Sequence, residues 1–265
     1  MTLIVGIVCR DGVVLASDSA ATFAKEGMPT IGQQEIRKIL RLSDCLLFAS
    51  SGAIGMAQIV AHEVKKGWDS KEYANVVAPE EMMDRIGRKI AQTVTPYLQT
   101  ANLTRPLVGD ASQSLCKCLV AMPVRRTACL FSFDYNGAPE QATAELPFVA
   151  LGSAQPIADP FLALLRRLLW PRTQPTLAEG RLVAVWAINH ARLTNPGGVG
   201  GPIQLATLAG DEGKGPCVTV LSESEIQEHL QQVDAAELAL VNELRSPGKT
   251  EEVAPPPEPP RQRSA

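Results

Sequence analysis

A threonine stands at position 2, directly behind the initiator methionine. Removal of Met1 requires a small second residue, and threonine is among those permitted. The new terminus then carries a nucleophile and its own base: the hydroxyl attacks and the free α-amine takes its proton. An α-amine titrates at roughly 7.7–8.0, close to working pH, where a general base is most effective. Such self-contained threonine–amine nucleophiles are a known variant of base-activated catalysis. Other chemistries find less support. No G-x-S-x-G elbow occurs, and no G-x-x-x-x-G-K-[ST] phosphate loop. The run Gly197-Gly198-Val199-Gly200-Gly201 lacks dinucleotide-loop spacing and precedes a strand, so it reads as a flexible turn. Three scattered histidines (His62, His190, His229) form no metal-binding spacing, and Cys116 with Cys118, two thiols on one strand face, are too few for structural zinc. No metal or cofactor is expected.

The elements that must position Thr2 follow from the apolar patterning. Residues 1–18 read as a β-hairpin, two β-branched runs joined at Arg10-Asp11-Gly12, where Asp-Gly tolerates the positive φ of a tight turn. Residues 19–35, small and polar with Gly27, Pro29 and Gly32, read as a loop or short extended piece. Strands are expected over 36–42 and 46–51, then helices over 53–66 and 79–99. Pro79 suits the first turn of the second helix, with Glu80 and Glu81 favourable beside the positive end of its dipole. Strands follow over 115–123, 127–134 and 141–150, helices over 155–169 and 177–192, strands over 202–208 and 216–221, and a last helix over 224–244. This order is not the steady alternation of a doubly wound parallel sheet. It predicts an α+β fold of antiparallel sheets with helices stacked outside.

At 265 residues, 45% apolar and 20% charged, the chain is long enough for one large domain with a sizeable core. A net charge of −3 without a long basic run argues against nucleic acid as a partner. No window of about 20 residues is continuously apolar, and the start lacks the basic region of a signal peptide, so a cytoplasmic protein without membrane association is expected. The six cysteines then read as reduced core thiols. From Pro247 the composition shifts: six of the last 19 residues are proline. Residues 1–246 are therefore expected to form a single domain and residues 247–265 a disordered tail.

The opening hairpin Thr2-Leu3-Ile4-Val5-Gly6-Ile7-Val8-Cys9-Arg10-Asp11-Gly12-Val13-Val14-Leu15-Ala16-Ser17-Asp18 resembles that of proteasome β-subunits. The order of elements is similar through about residue 244. The resemblance extends to the stand-alone bacterial homologues of the betaproteobacterial or ancestral β-subunit type. It implies the N-terminal-nucleophile hydrolase fold, a four-layer αββα sandwich, and threonine-type peptidase activity. By that resemblance Thr2 matches the nucleophile, Asp18 the acidic residue sixteen positions on, and Lys38 the lysine at the start of the third strand. Gly52, in Ser51-Gly52-Ala53-Ile54, matches the oxyanion donor at a helix start, and Ser153 the serine that hydrogen-bonds the terminal amine. Ala21, Thr22, Ser50 and Ile54 match positions lining the substrate cleft, with Ser50 at a pocket floor suited to apolar or mid-sized side chains. Where β-subunits carry an aspartate and a serine before a Gly-Gly pair, this chain has Leu193-Thr194-Asn195. The implied partners are peptides or unfolded proteins, further copies of the chain in stacked six- or seven-membered rings, and an ATPase unfoldase. A catalytically silent ring scaffold and a small-amide hydrolase of the same fold are the alternatives.

Overall fold

In a computed structural model, residues 2–25, 28–108, 115–195, 198–210 and 215–245 are described, the side chains of 22–33 and 104–108 excepted. The chain opens on the expected hairpin, β1 (Ile4–Cys9) and β2 (Gly12–Ser17), in the register Ile4↔Ser17 to Cys9↔Gly12. Alternate residues of β1 face opposite ways. Leu3, Val5 and Ile7 enter one apolar core while Ile4 enters another. A strand with two apolar faces has to be covered on both sides, which accounts for the near-continuous apolar run.

The first sheet is completed by β10 (Phe148–Leu151), β11 (Gln204–Gly210) and β12 (Pro216–Val220), in the antiparallel order β10-β1-β2-β11-β12. A second antiparallel sheet has the order β5-β6-β7-β8-β9, from β5 (Ile39–Ser43), β6 (Leu46–Gly52), β7 (Cys116–Val124), β8 (Thr127–Phe133) and β9 (Pro139–Gln141). The sheets meet through Ile4, Val13 and Leu15 on one side and Leu47, Ala49, Leu119 and Leu130 on the other. Helices α3 (Gln155–Leu169) and α4 (Leu177–Thr194) cover the outer face of the first sheet. Helices α1 (Ile54–Asp69) and α2 (Pro79–Val108) cover that of the second, where Cys116 and Cys118 share one buried face. The last helix, α5 (Glu223–Arg245), packs on α4. The result is the expected α+β sandwich of four layers.

Three expectations are refined or corrected. Over residues 19–35 the extended alternative holds and not the loop: β3 (Ala20–Lys25) and β4 (Met28–Glu35) pair as a separate antiparallel ribbon. Its register slips between Ala21 and Phe23 and again before Ala24, opposite Pro29. An isolated ribbon tolerates a proline that an interior strand would not. Residues 141–150 are not one strand either. β9 ends at Gln141 in the second sheet and β10 begins at Phe148 in the first, with Pro147, which has no N–H to give a ladder, accepting from Val8 N–H (2.7 Å). Helix α2 runs to Val108, beyond the Gln99 expected. The tail 247–265 lies outside the described residues.

Candidate active site

The start of the chain is pinned from three directions before any side chain of Thr2 is considered. Leu3 N–H donates to Asp18 Oδ1 (2.9 Å), Asp18 N–H donates to the Leu3 carbonyl (3.2 Å), and Ala154 N–H donates to the Thr2 carbonyl (3.3 Å). Gly152 lies against that same carbonyl with φ +109°, and a Cβ there would stand 2.1 Å from the Thr2 oxygen. Only glycine meets both demands. The turn that Gly152 makes delivers Ser153, whose Oγ accepts from Thr2 N at 3.1 Å. With Met1 attached this nitrogen is a peptide N–H; with Met1 removed it is the α-amine, already seated on Ser153.

Asp18, 1% exposed, follows β2 and holds Lys38, 4% exposed, by an ion pair of 2.6 Å to Oδ1. Its other oxygen accepts from Gly200 N–H at 3.3 Å. A buried carboxylate needs such donors to remain charged without a large desolvation cost. Burial pushes the Lys38 ammonium below its ordinary value, and Asp18, by charge and hydrogen bond, works in the opposite direction. Lys38 is thus a desolvated cation held beside the chain start, in the residue just before β5. Its backbone is fixed from the first sheet: Gln204 Oε1 accepts from Lys38 N–H (2.9 Å) and Ile39 N–H (3.3 Å), while Gln204 Nε2 donates to the Ile36 carbonyl (2.6 Å).

Thr2, Lys38, Gly52 and Ser153 line one cleft of about 680 Å³. Gly52 closes β6 with φ +118°, and a Cβ there would meet the Leu115 carbonyl at 2.3 Å, so the site is reserved for glycine. Helix α1 starts two residues later, and its N-cap, Ala53, offers no side-chain acceptor. The positive end of that helix and its uncapped amides therefore lie where Gly52 enters the cleft. Of the expected substrate-contacting residues, Ala21, Ser50 and Ile54 line the same cleft; Thr22 lies on β3, and its side chain is not among those described.

Several lining residues carry no local signal in the sequence. Ser51, Lys117 and Tyr135 contribute from the second sheet and its β8–β9 turn. Lys117 pairs with Asp134 (3.1 Å) and sits 4.8 Å from the Tyr135 ring centroid. The glycine-rich run expected to be a flexible turn is a structural clamp at Gly200. Its N–H serves Asp18, and its carbonyl accepts from Ser19 (3.2 Å) and Ala20 (3.0 Å) N–H groups. Asn195 caps the C-terminus of α4, its carbonyl accepting from Gly198 and Val199 N–H groups.

Relatives are consistent with this geometry. Proteasome subunit beta of Methanococcus maripaludis strain C5 is 26% identical over 235 residues, covering 88% of this chain and 92% of that protein. Proteasome subunit alpha of Methanocaldococcus jannaschii is 28% identical over 190 residues, 72% of this chain and 64% of that one. Among solved structures, the ancestral beta-subunit (Anbu) of Yersinia bercovieri superposes with a TM-score of 0.66 at 16% identity, covering 93% of this chain and 98% of that chain. The Anbu complex of Pseudomonas aeruginosa, described as a helical assembly, does so with 0.66 at 20% identity, covering 94% and 99%. Residues 2–208 match the proteasome subunit family, and the chain belongs to that family.

Proposed function

We propose that the protein is a threonine-type endopeptidase whose nucleophile is Thr2 after removal of Met1. The observation that carries this reading is the convergence on one cleft of Thr2, whose backbone nitrogen is seated on Ser153 Oγ, and of Lys38, held from behind by buried Asp18. The α-amine takes the Thr2 hydroxyl proton as the oxygen attacks the scissile carbonyl. The Lys38 cation disfavours the ammonium form of its neighbour, which keeps the amine a free base near neutral pH. Asp18 holds Lys38 in place. The developing oxyanion is met by the Gly52 amide at the positive end of α1, a donor whose loss typically costs about 3–4 kcal/mol of transition-state stabilisation. The amine then gives its proton to the leaving nitrogen, and water releases the acyl group from Thr2.

The same proposal assigns residues 1–246 to one hydrolase domain and makes the working unit a homo-oligomeric ring chamber in the cytoplasm. Substrate choice then depends on access to the chamber, through an ATPase unfoldase where one docks, as well as on Ala21, Ser50 and Ile54. Among the described residues no helix is long and apolar enough to cross a membrane. A second reading, a silent ring component, draws on the stretch Leu193-Thr194-Asn195, which lacks the acid that proteasome β-subunits carry before a Gly-Gly pair.

Turnover of a fluorogenic peptide panel, run against small amides and with Thr2→Ala as control, tests the proposal. Peptide cleavage lost in Thr2→Ala supports the endopeptidase. Small-amide turnover alone would redirect the function to that chemistry, and cleavage unchanged in Thr2→Ala would refute the nucleophile.

A further inference from the structure

The six thiols are free, and four of them (Cys9, Cys116, Cys118, Cys129) are buried. Burial pushes Cys9 up to about 12 and Cys116 and Cys129 to about 11, which leaves them inert. The other two differ in setting. Cys45 is half-buried in the turn between β5 and β6, and Cys217 is exposed as the second residue of β12. Val218 N–H donates to the Asp44 carbonyl at 2.7 Å. This bond, from the residue after one cysteine to the residue before the other, sets Cys45 and Cys217 alongside each other between the two sheets. Residues facing one another across adjacent antiparallel segments stand about 4.5–5.5 Å apart at Cα. That spacing lies within the window a disulfide requires, about 4.4–6.8 Å. The two thiols are in hydrogen-bonding reach of one another, and Cys217 Sγ also approaches the Gly215 carbonyl at 3.5 Å.

We propose that Cys45 and Cys217 form an oxidation site, a dithiol that closes under peroxide into a disulfide joining the edge strands of the two sheets. The exposed Cys217 reacts first: its sulfur takes one peroxide oxygen to become the sulfenic acid, and one water leaves. The Cys45 sulfur then attacks that sulfur, the S–S bond forms, and the second water departs with the Cys45 proton. Two thiols are oxidised by two electrons and one peroxide is reduced to two waters. Burial first, and Cys217 second, raise the Cys45 thiol, which suits it to the resolving step over the initial one. The bond would tie β12, the outer strand of the first sheet, to the β5 edge of the second, across the open side of the sandwich.

The test treats the full chain with hydrogen peroxide, blocks remaining thiols with N-ethylmaleimide and maps the digest by mass spectrometry. The expected result is the loss of two hydrogens per chain, one cross-linked peptide pair containing Cys45 and Cys217, and a raised melting temperature reversed by dithiothreitol. Cys217→Ser is expected to leave Cys45 fully alkylated after the same treatment, and Cys45→Ser to carry Cys217 on to its sulfinic acid. Cys45 alkylated in treated wild-type protein would overturn the proposal. So would Cys217 recovered unmodified, as sulfinic acid or in a link between chains. Peptidase activity enters none of these readouts.

Discussion

Lys38 is asked to do two things, and they can be separated. As a charge beside the chain start it lowers the basicity of the Thr2 amine, so Lys38→Met should shift the amine's titration to higher pH. The pH dependence of reductive methylation at that amine reads this without turnover; an unshifted profile would remove Lys38 from the mechanism. As the partner of a buried carboxylate it also stabilises the fold. Losing it leaves Asp18 uncompensated, at a cost of about 3–5 kcal/mol, and the double variant Asp18→Asn, Lys38→Met should recover more than half of that. Chemical denaturation of the three proteins measures the difference. The sign of the pH effect follows from burial. The folded chain gives up the Lys38 proton below the ordinary value of 10.5, while the unfolded chain holds it to that value. In that window the unfolded state binds more protons, so this residue's contribution to stability rises with pH. Lys38→Met should lack that rise.

Elements position these residues through glycine turns and long-range hydrogen bonds more than through strand propensity. Gly152→Ala forces a Cβ into the Thr2 carbonyl at a backbone angle that L-residues avoid. It should cost about 1–3 kcal/mol of stability. By displacing Thr2 about 1 Å it should also lower kcat/KM on the order of 10²-fold. Thr176→Ala is the contrasting case. It removes the capping box of α4, where Thr176 Oγ1 accepts from Glu179 N–H (3.2 Å) and the Glu179 carboxylate accepts from Thr176 N–H (2.7 Å). It should cost about 1 kcal/mol and leave turnover unchanged, since the cap lies outside the cleft. The hairpin and the helix starts were readable because their signals are local. Two β-branched runs flank the turn, which falls on Arg10-Asp11 between the paired Cys9 and Gly12 without the positive φ expected there, and Pro79 opens its helix. The β3–β4 ribbon was hidden by small residues, and β9 and β10 by a crossover that no periodicity marks. Gln204 and Gly200 were unreadable for a different reason. Their partners, Lys38 and Asp18, lie 166 and 182 positions away in the chain.

The whole molecule places its cleft at the end of the sandwich where the chain start, the β5 entry and the α1 N-terminus meet. The resemblance that assigned Thr2, Asp18, Lys38, Gly52 and Ser153 named residues that share this end, although only Thr2 carried an argument from its own chemistry. Leu168 on α3 and Leu238, Leu240 and Leu244 on α5 are more than half exposed, apolar surface that the proposed assembly would cover. Sedimentation analysis should find a particle several chains in size, and a monomer at micromolar concentration would contradict the ring chamber.

The most direct test is mass analysis of the N-terminal peptide after exposure to a peptide α′,β′-epoxyketone, which closes a ring only on an adjacent hydroxyl and free amine. The expected result is a chain beginning at Thr2 that carries the adduct on that residue, with the adduct absent from Thr2→Ala. A chain that retains Met1, or a free Thr2 that the reagent leaves unmodified, would contradict the account.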